Sequence, residues 1–312
     1  MKLSIVIPLL NEKESLQALT DAIRKNVSAE TSYEIIFVDD GSTDGSFEKL
    51  RELHGTYPCI RVFRFNRNYG KSAALSVGIE KAAGDIIITM DADLQDDPAA
   101  IPEMIRAIES GWDLVSGWKK KRHDPIVFTF PSKIWNYCMS FITGVKLHDL
   151  NCGFKAYRAE VAKSIEIYGE RHRYLPALAH WDGYSVTEIP VPHHARQFGK
   201  SKYGFSKFFK GSFDLLTILF LRKYLKNPMH FFGMIGILLS FAGCAILTFF
   251  GVEWLISGQM HLRPLVILAL GAIIMGIQFI SIGLIGELIT NLTQHNTYTI
   301  RDTLETRQEK PV

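Results

Sequence analysis

Only four cysteines, Cys59, Cys138, Cys152 and Cys244, are spread through 312 residues. None sits in a C-x-x-C pair or beside a His at ligand spacing, so neither a zinc site nor a disulfide framework is expected, only buried thiols in a reducing compartment. No G-x-G-x-x-G and no complete G-x-x-x-x-G-K-[ST] loop is present, which disfavours dinucleotide and P-loop phosphate binding. A G-x-S-x-G nucleophile elbow is missing too. Lys2 is followed by a short apolar run, Leu3 to Leu10, that ends in Asn-Glu instead of a small-residue cleavage site, so no signal peptide is expected. A composition of 47% hydrophobic and 21% charged residues, with 12 prolines and 24 glycines, excludes disordered and collagen-like chains.

Charge of one sign is also scarce overall, with 35 Lys and Arg against 32 Asp and Glu and a net charge of +3. No nucleic-acid partner is expected. The small total hides three regions. Residues 1–116 carry 12 basic and 19 acidic side chains, residues 117–227 carry 19 and 8, and residues 228–312 carry 4 and 5. The chain therefore has an acidic front, a basic middle and a nearly uncharged tail. Its length suits about two domains of ~150 residues, and its mean hydropathy of +0.08 is high for a soluble enzyme.

That hydropathy comes from the tail. Phe231 to Val252 and Pro264 to Gly286 contain no charged residue over 22 and 23 positions. Each is long enough to cross a hydrocarbon core of about 30 Å, and two transmembrane helices are predicted. Arg222, Lys223 and Lys226 precede the first span, and Arg301 and Arg307 follow the second. The positive-inside rule then puts both ends in the cytoplasm and the Glu253 to Arg263 loop outside. Phe205, Phe208, Phe209, Phe213, Leu216 and Phe220 recur at helical spacing beside Lys207 and Lys210, the pattern of an amphipathic helix lying on a membrane surface or packed on the globular part. Glycines 233, 236, 271 and 276 permit close helix packing.

In the front region, apolar runs at Leu3 to Ile7, Tyr33 to Val38, Ile60 to Phe65, Asp85 to Met90 and Asp113 to Ser116 read as buried strands. Helical patterns alternate with them at Glu12 to Asn26, Ser46 to His54, Ser72 to Ala83 and Ile101 to Glu109. The order predicts an α/β fold, a doubly wound parallel sheet with helices on both faces. Ligands of such sheets bind beyond the carboxyl ends of the strands. There the sequence places Pro8-Leu9-Leu10-Asn11-Glu12, Asp39-Asp40-Gly41-Ser42 and Asp91-Ala92-Asp93-Leu94-Gln95. An Asp after a strand is commonly a helix cap, as Asp44 or Ser46 can be, but four Asp and Glu12 at one edge exceed what capping needs. Asp91 and Asp93 can share Mg²⁺ or Mn²⁺, with the Gln95 amide oxygen in reach, and such an ion would bridge a diphosphate. Asp39 and Asp40 suit hydrogen bonds from a base or ribose.

Together Ser4-Ile5-Val6-Ile7-Pro8, Asn11-Glu12, Val38-Asp39-Asp40-Gly41-Ser42-Thr43-Asp44, Arg67-Asn68-Tyr69-Gly70-Lys71 and Met90-Asp91-Ala92-Asp93-Leu94-Gln95-Asp96 resemble family 2 glycosyltransferases of the GT-A fold. Asp149-Leu150-Asn151-Cys152-Gly153-Phe154-Lys155-Ala156-Tyr157-Arg158, the R-x-x-G-x-S-K-Y of Arg196 to Tyr203, and two terminal spans narrow the resemblance. They are similar to the polyprenyl-phosphate group that contains dolichyl-phosphate mannose synthases and bactoprenol glucosyltransferases. The resemblance covers essentially the whole chain. It implies a cytoplasmic GT-A catalytic domain over 1–203, juxtamembrane amphipathic helices over 204–227, a transmembrane hairpin over 228–291 and a cytoplasmic tail over 292–312, in an inner membrane.

The implied reaction is inverting transfer of one sugar from a nucleotide-diphosphate sugar to undecaprenyl phosphate, for cell-envelope glycan modification such as that of O-antigen. UDP-glucose is the expected donor because of the two spans; GDP-mannose, UDP-N-acetylglucosamine, UDP-galactose and an aminoarabinose donor are the alternatives. By position, Pro8, Asn11, Glu12, Asp39, Asp40 and Lys71 would hold the nucleotide sugar, with Asp91, Asp93 and Gln95 around metal and diphosphate. Lys119, Arg122, Ser132, Lys133, Arg196 and Lys202 would meet the acceptor phosphate. Relatives often carry Arg where Lys119 and Lys133 stand, and Lys offers a point charge without the bidentate fork. Asp149 is the expected base or acceptor-orienting residue, although a phosphate nucleophile is already ionised at pH 7 and needs placement far more than deprotonation. The histidines at 148, 172, 180, 193 and 194 read as loop or surface residues. A homo-oligomer and a downstream flippase are further partners compatible with this reading.

Two rival classes differ in features the sequence can be searched for. A processive polysaccharide synthase would bring Q-x-x-R-W and more spans, and neither is present. A non-catalytic membrane-anchored binding protein would have no need to keep Asp39, Asp91 and Asp93.

Overall fold

Along the first strand, Leu3, Ile5, Ile7 and Leu9 project to one face and Val6 to the other, and all are buried. A strand apolar on both faces has to be covered on both, which is the parallel-sheet pattern. The computed structural model describes residues 2–28, 31–120, 140, 143–167, 169, 171–194, 228–258 and 264–293. The chain divides into two units, Met1–Tyr203 and Gly204–Val312.

The first unit holds β1 (Lys2–Leu9), β2 (Ser32–Asp39), β3 (Ile60–Arg64), β4 (Ile86–Thr89), β5 (Leu114–Trp118), β6 (Lys155–Arg158) and β7 (Val186–Pro190). Between them lie α1 (Leu16–Asn26), α2 (Ser46–Thr56), α3 (Lys71–Lys81), α4 (Ile101–Glu109), α5 (Ala159–Ser164) and α6 (Leu175–Trp181). The sheet order is β3-β2-β1-β4-β6-β5-β7. All pairings are parallel except those of β6, which runs antiparallel between β4 and β5. The sheet is thus mostly parallel, as expected, and its mixed centre was not foreseen. Lys155-Ala156-Tyr157-Arg158 is four residues long with a cation at each end, so it carries no apolar run by which a strand could be read. Val186–Pro190 is hidden for the same reason, with Glu188 at its centre.

Helices cover both faces. On one, Leu3, Ile5 and Ile7 pack with Leu16, Leu19 and Ile23 of α1, Leu50 and Leu53 of α2, and Ile101, Met104 and Ile108 of α4. On the other, Val6, Ile36, Val38 and Ile87 meet Ala74, Leu75 and Ile79 of α3 with α5 and α6. Each fully buried aliphatic side chain contributes roughly 1.5–3 kcal/mol. Gly78 sets the approach of α3, because a Cβ there would overlap Val6. The helix predicted from Glu12 begins at Leu16 instead, since residues 11–15 form a loop that serves the site. Of the cysteines, Cys152 is buried, Cys59 half-buried and Cys244 exposed, which corrects the expectation of uniformly buried thiols; Cys138 lies outside the described residues.

In the second unit, α7 (Pro228–Ser257) and α8 (Pro264–Thr293) are 30 residues each, about 45 Å at ~1.5 Å per residue. Both are apolar and long enough to cross a membrane, and they turn large apolar side chains such as Phe241, Leu255 and Leu268 outward. Glycine brings them together: a Cβ on Gly236 would lie 2.5 Å from the Gly276 carbonyl, and one on Gly243 2.6 Å from that of Ala269. Gly271 meets nothing within 4 Å. The first helix continues through Glu253 and ends at Gly258, whose φ of 65° stops it. The expected loop is therefore shorter than its charge pattern suggested, because a charge does not by itself end a helix. Residues 204–227, where the amphipathic helices are expected, and the tail after 293 lie outside the described residues.

At the amino edge of the sheet, Glu34 on β2 is 4% exposed. It accepts hydrogen bonds from Ser4 Oγ at 2.7 Å, the Ala83 amide at 2.8 Å and Arg61 Nη1 at 2.7 Å. Burial alone would raise its pKa; Arg61, Ser4 and Ala83 outweigh burial and lower it. Glu34→Ala should therefore cost about 2 kcal/mol at pH 7, read as a lower Tm in detergent. A depressed carboxylate stabilises above its unfolded pKa of about 4.3 and loses that contribution as pH falls through the folded value. The Tm gap between wild type and variant should close in acid; a constant gap from pH 7 to about 3 would contradict this account.

Candidate active site

The carboxyl edge of the parallel strands is built from loops stitched to one another. After β1, Asn11 adopts a left-handed φ of 55°. Its amide donates to Ser42 Oγ at 2.9 Å and its Oδ1 accepts from the Thr43 amide at 2.8 Å. The Glu12 amide donates to Ser46 Oγ at 3.0 Å, and that of Lys13 to Asp44 Oδ2 at 3.2 Å. Asp44 also accepts from the amide and hydroxyl of Ser46, so it braces the turn into α2. Burial would raise the Asp44 pKa, but Ser46 and the Lys13 amide outweigh burial and lower it. Pro8, paired in register with Val38 one residue before the strand ends, brings no ladder donor.

The two aspartates after β2 diverge. Asp39 is fully buried: its Oδ1 accepts from the Ser42 amide at 2.8 Å, and Arg64 Nε lies 3.5 Å from an Oδ2 that accepts no hydrogen bond. Asp40 turns to the neighbouring loop, accepting from the Tyr69 amide at 2.7 Å and the Gly70 amide at 2.9 Å. Asp40 thereby fixes Gly70-Lys71-Ser72, the first turn of α3. Gly41, at φ 78°, permits the crossing, since a Cβ there would come within 2.7 Å of the Arg67 backbone.

From that turn Lys71 pairs with Asp91, just past β4. Burial would raise the Asp91 pKa; Lys71 first, then Lys119 and His172, outweigh burial and lower it to about 2. Gly153 backs directly onto this carboxylate, where a Cβ would lie 2.8 Å from Oδ2. The 149–153 segment is held from the sheet below. Thr89 Oγ1 of β4 donates to the Gly153 carbonyl at 2.9 Å, Ser116 Oγ of β5 to that of Asp149 at 3.5 Å, and Lys155 Nζ of β6 to that of Cys152. Asp149 is 2% exposed. Lys155 is equally buried, and burial, with Lys71 nearby, lowers its pKa against the opposing pull of Cys152, Asp149 and Asp91.

Past Asp91, Asp93 Oδ1 accepts from the Gln95 amide at 3.2 Å, and Leu94 between them is left-handed at φ 61°. The Gln95 carbonyl accepts from the His194 amide at 3.0 Å. Lys119, at the end of β5, places Nζ 2.8 Å from Asp96 Oδ1. Burial would lower the Lys119 pKa; Asp96, aided by Asp91, outweighs it and raises it. Arg122, Ser132, Lys133, Arg196 and Lys202, the remaining expected acceptor contacts, lie outside the described residues.

Residues 4–166 match the glycosyl transferase family 2 model. The chain belongs to that family. Among relatives of this family 2 glycosyltransferase is the dodecaprenyl-phosphate galacturonate synthase of Rhizobium johnstonii, 38% identical over 93% of this chain and 88% of that protein. The undecaprenyl-phosphate 4-deoxy-4-formamido-L-arabinose transferase of Yersinia pestis is 35% identical over 92% and 88%. Both names are of polyprenyl-phosphate sugar enzymes, the group the motifs resemble. Among solved structures, glucosyl-3-phosphoglycerate synthase from Mycobacterium tuberculosis, with Mn²⁺, UDP-glucose and phosphoglyceric acid, aligns at TM-score 0.55 and 20% identity over 71% of this chain and 79% of that one. That likeness bears on the fold, which is GT-A.

Three side chains of this glycosyltransferase's edge had no role in the sequence reading. His172 was read as loop or surface, yet its Nδ1 lies 2.8 Å from Ser72 Oγ, one residue after Lys71. Burial first, then Lys71, Arg173 and Lys155, lowers its pKa to about 3, so the imidazole is neutral at pH 7. One hundred residues separate it from Ser72, and no local pattern announces the contact. Lys155 and Asp96 stood inside quoted motifs; Asp96 announces itself only as the third carboxylate of D-A-D-L-Q-D.

Gly153→Ala tests the packing against Asp91. Displacing a reacting-site group by ~1 Å costs about 100-fold, so turnover should fall by about that factor while Tm stays near wild type. Normal turnover would show that the close approach does not position Asp91.

Proposed function

We propose that this family 2 glycosyltransferase moves a single sugar from a nucleotide-diphosphate sugar to a membrane polyprenyl phosphate, with inversion. The observation that carries the reading is the edge itself: Asp91 gathers Lys71 directly and feels Lys119, in a chain that aligns almost end to end with two polyprenyl-phosphate enzymes. A phosphate oxygen of the acceptor forms a bond to the anomeric carbon as the bond from that carbon to the diphosphate breaks. The attacking oxygen is already anionic, so the residues chiefly have to place two anionic partners and offset their charge. Lys71 and Lys119 supply charge, and buried Asp149 orients the acceptor side. His172, neutral and tethered to Ser72, adds no positive charge at working pH.

Asp91, Asp93 and the Gln95 amide are hard oxygen donors of the kind Mg²⁺ and Mn²⁺ take. Two carboxylates suffice when diphosphate oxygens and water complete the shell. Among the described residues there is no cluster of three His, Cys, Asp or Glu that would hold an ion unaided. When bound, the ion would supply charge stabilisation to the leaving diphosphate. Asp39 is fully buried with Arg64 3.5 Å from its Oδ2, so it would have to be uncovered to accept from a nucleotide N–H or hydroxyl.

The two-span architecture pointed to UDP-glucose. Galacturonate and 4-deoxy-4-formamido-L-arabinose, the sugars named for the relatives, both have the galacto arrangement at their ring carbons, so a donor of that configuration takes first place here. The apolar hairpin supports anchoring in the cytoplasmic membrane, and the basic flanks before 228 and after 293 favour both ends in the cytoplasm.

Incubating the full chain with undecaprenyl phosphate, Mn²⁺ and radiolabelled nucleotide sugars, then extracting with organic solvent, separates the outcomes. The panel comprises UDP-galacturonate, UDP-4-deoxy-4-formamido-L-arabinose, UDP-galactose, UDP-glucose, UDP-N-acetylglucosamine and GDP-mannose. A lipid-linked monosaccharide from a galacto-configured donor is expected; polymer, or no product from any donor, would refute the transferase reading. Asp93→Ala should lower transfer at least ~100-fold in a folded, membrane-inserted protein, and near-normal turnover would remove Asp93 from the metal site.

A further inference from the structure

We infer that Asp96 is a positioning residue that holds Lys119 where the donor and acceptor sides meet, so that Lys119 presents its charge to the acceptor phosphate. This rests on the polyprenyl-phosphate reading above.

Asp96 is 1% exposed, and its side chain is fully shielded. Among the described residues the Lys119 ammonium, 2.8 Å from Oδ1, is its one charged partner, and neither carboxylate oxygen meets hydrogen-bond geometry. Burying a carboxylate this way is costly, and a buried ion pair is rarely a net source of stability compared with apolar packing of the same volume. A buried polar atom left without a partner calls for a reason. The reason lies in what Asp96 joins. Its backbone bridges that of His193 just beyond β7, and the Gln95 carbonyl and Asp97 carboxylate both meet His194. Lys119 opens the Lys119-Lys120-Lys121-Arg122 run, and Arg196 follows His194 by two positions. Asp96 therefore ties the Asp91–Gln95 loop to the start of both basic segments.

Lys119 is suited to being held. Its side chain keeps 14% exposure, and it acts on Asp91 as well as on Asp96. Of the three ammonium hydrogens, Asp96 engages one side of the group and leaves donors for a phosphate. A flexible lysine without such a tether would spend binding energy on ordering its own rotamers. With the tether that ordering is done before the acceptor arrives, which is preorganisation.

The test is a double-mutant cycle on the full chain in detergent, read by calorimetric titration with farnesyl phosphate, a short polyprenyl phosphate, and separately with UDP. Asp96→Asn keeps the shape and removes the charge; Lys119→Met removes the ammonium. Each single change should weaken farnesyl phosphate on the order of tenfold, the worth of one charge-assisted hydrogen bond. The double variant should bind no more weakly than Lys119→Met alone, and Asp96→Asn should leave UDP affinity at the wild-type value. Losses that multiply, an unchanged farnesyl phosphate affinity in Asp96→Asn, or an equal loss for UDP would each overturn the inference. Should Asp96→Asn fail to fold, Asp96→Glu decides: it retains the tether's charge and should keep farnesyl phosphate affinity within about threefold, whereas a loss as large as that of Lys119→Met would refute it. Wild-type chain without affinity for farnesyl phosphate would overturn it too. Failure of the transferase reading registers elsewhere, as absence of lipid-linked sugar from every donor.

Discussion

Carboxylates gathered at one edge of a sheet repel one another and resist burial, and the arrangement of this edge follows from how each is offset. Lys71 answers Asp91 across the mouth of β4, Lys119 answers Asp96, and Arg64 stands beside Asp39. Asp40 is offset by backbone donors, the Tyr69 and Gly70 amides. These choices are linked. Asp40 fixes the turn that opens α3, the turn aims Lys71, and Lys71 keeps Asp91 ionised in spite of burial. Loss of the Asp40 bonds would therefore be felt at Asp91, in a different strand, through a chain of local contacts.

Much of this frame was legible in the sequence because buried parallel strands leave continuous apolar runs. Leu3 to Ile7 and Tyr33 to Val38 could be read at sight, and the acidic clusters after them mark the carboxyl edge. What escaped was whatever depends on distant pairing. Lys155-Ala156-Tyr157-Arg158 becomes a central strand only because β4 and β5 flank it, and its buried lysine contradicts the usual pattern of such positions. His172 reaches the edge by packing on Ser72, a contact with no trace in spacing or composition. Asp96 was visible as a letter in a motif, but its full burial and its pairing with Lys119 are properties of the fold.

The hairpin of the second unit obeys a different balance. In lipid the apolar surface of one helix gains nothing by leaving hydrocarbon for another helix, so close approach has to come from small residues. Gly236 and Gly276 face each other's carbonyls, and Phe232 stacks on Phe279 with centroids 6.2 Å apart. Glycine at 233 meets only Met229 of its own helix, and glycine at 271 meets nothing. Spacing alone could not separate the glycines that pack from those that do not, because the relative rotation of two helices is set by the pair.

The proposed reaction, which joins an anionic acceptor to an anionic donor, would account for the division of charge along the chain. A protein whose reaction required a strong base would have to keep an imidazole or carboxylate poised near neutrality at the reacting centre. Here the nearby imidazole is held far below that range by burial and by Lys71, Arg173 and Lys155, and Asp91 is held ionised. Neither is set to exchange a proton at neutral pH. Fixed positive charge remains the main lever, and it works only if each cation is placed before substrate binds, because an ammonium free to wander would simply pair with the nearest carboxylate. On that reading the acidic front does more than hold a donor. Asp91 and Asp96 also pair with the two lysines, and in the proposed reaction each cation would face the phosphates from a fixed place.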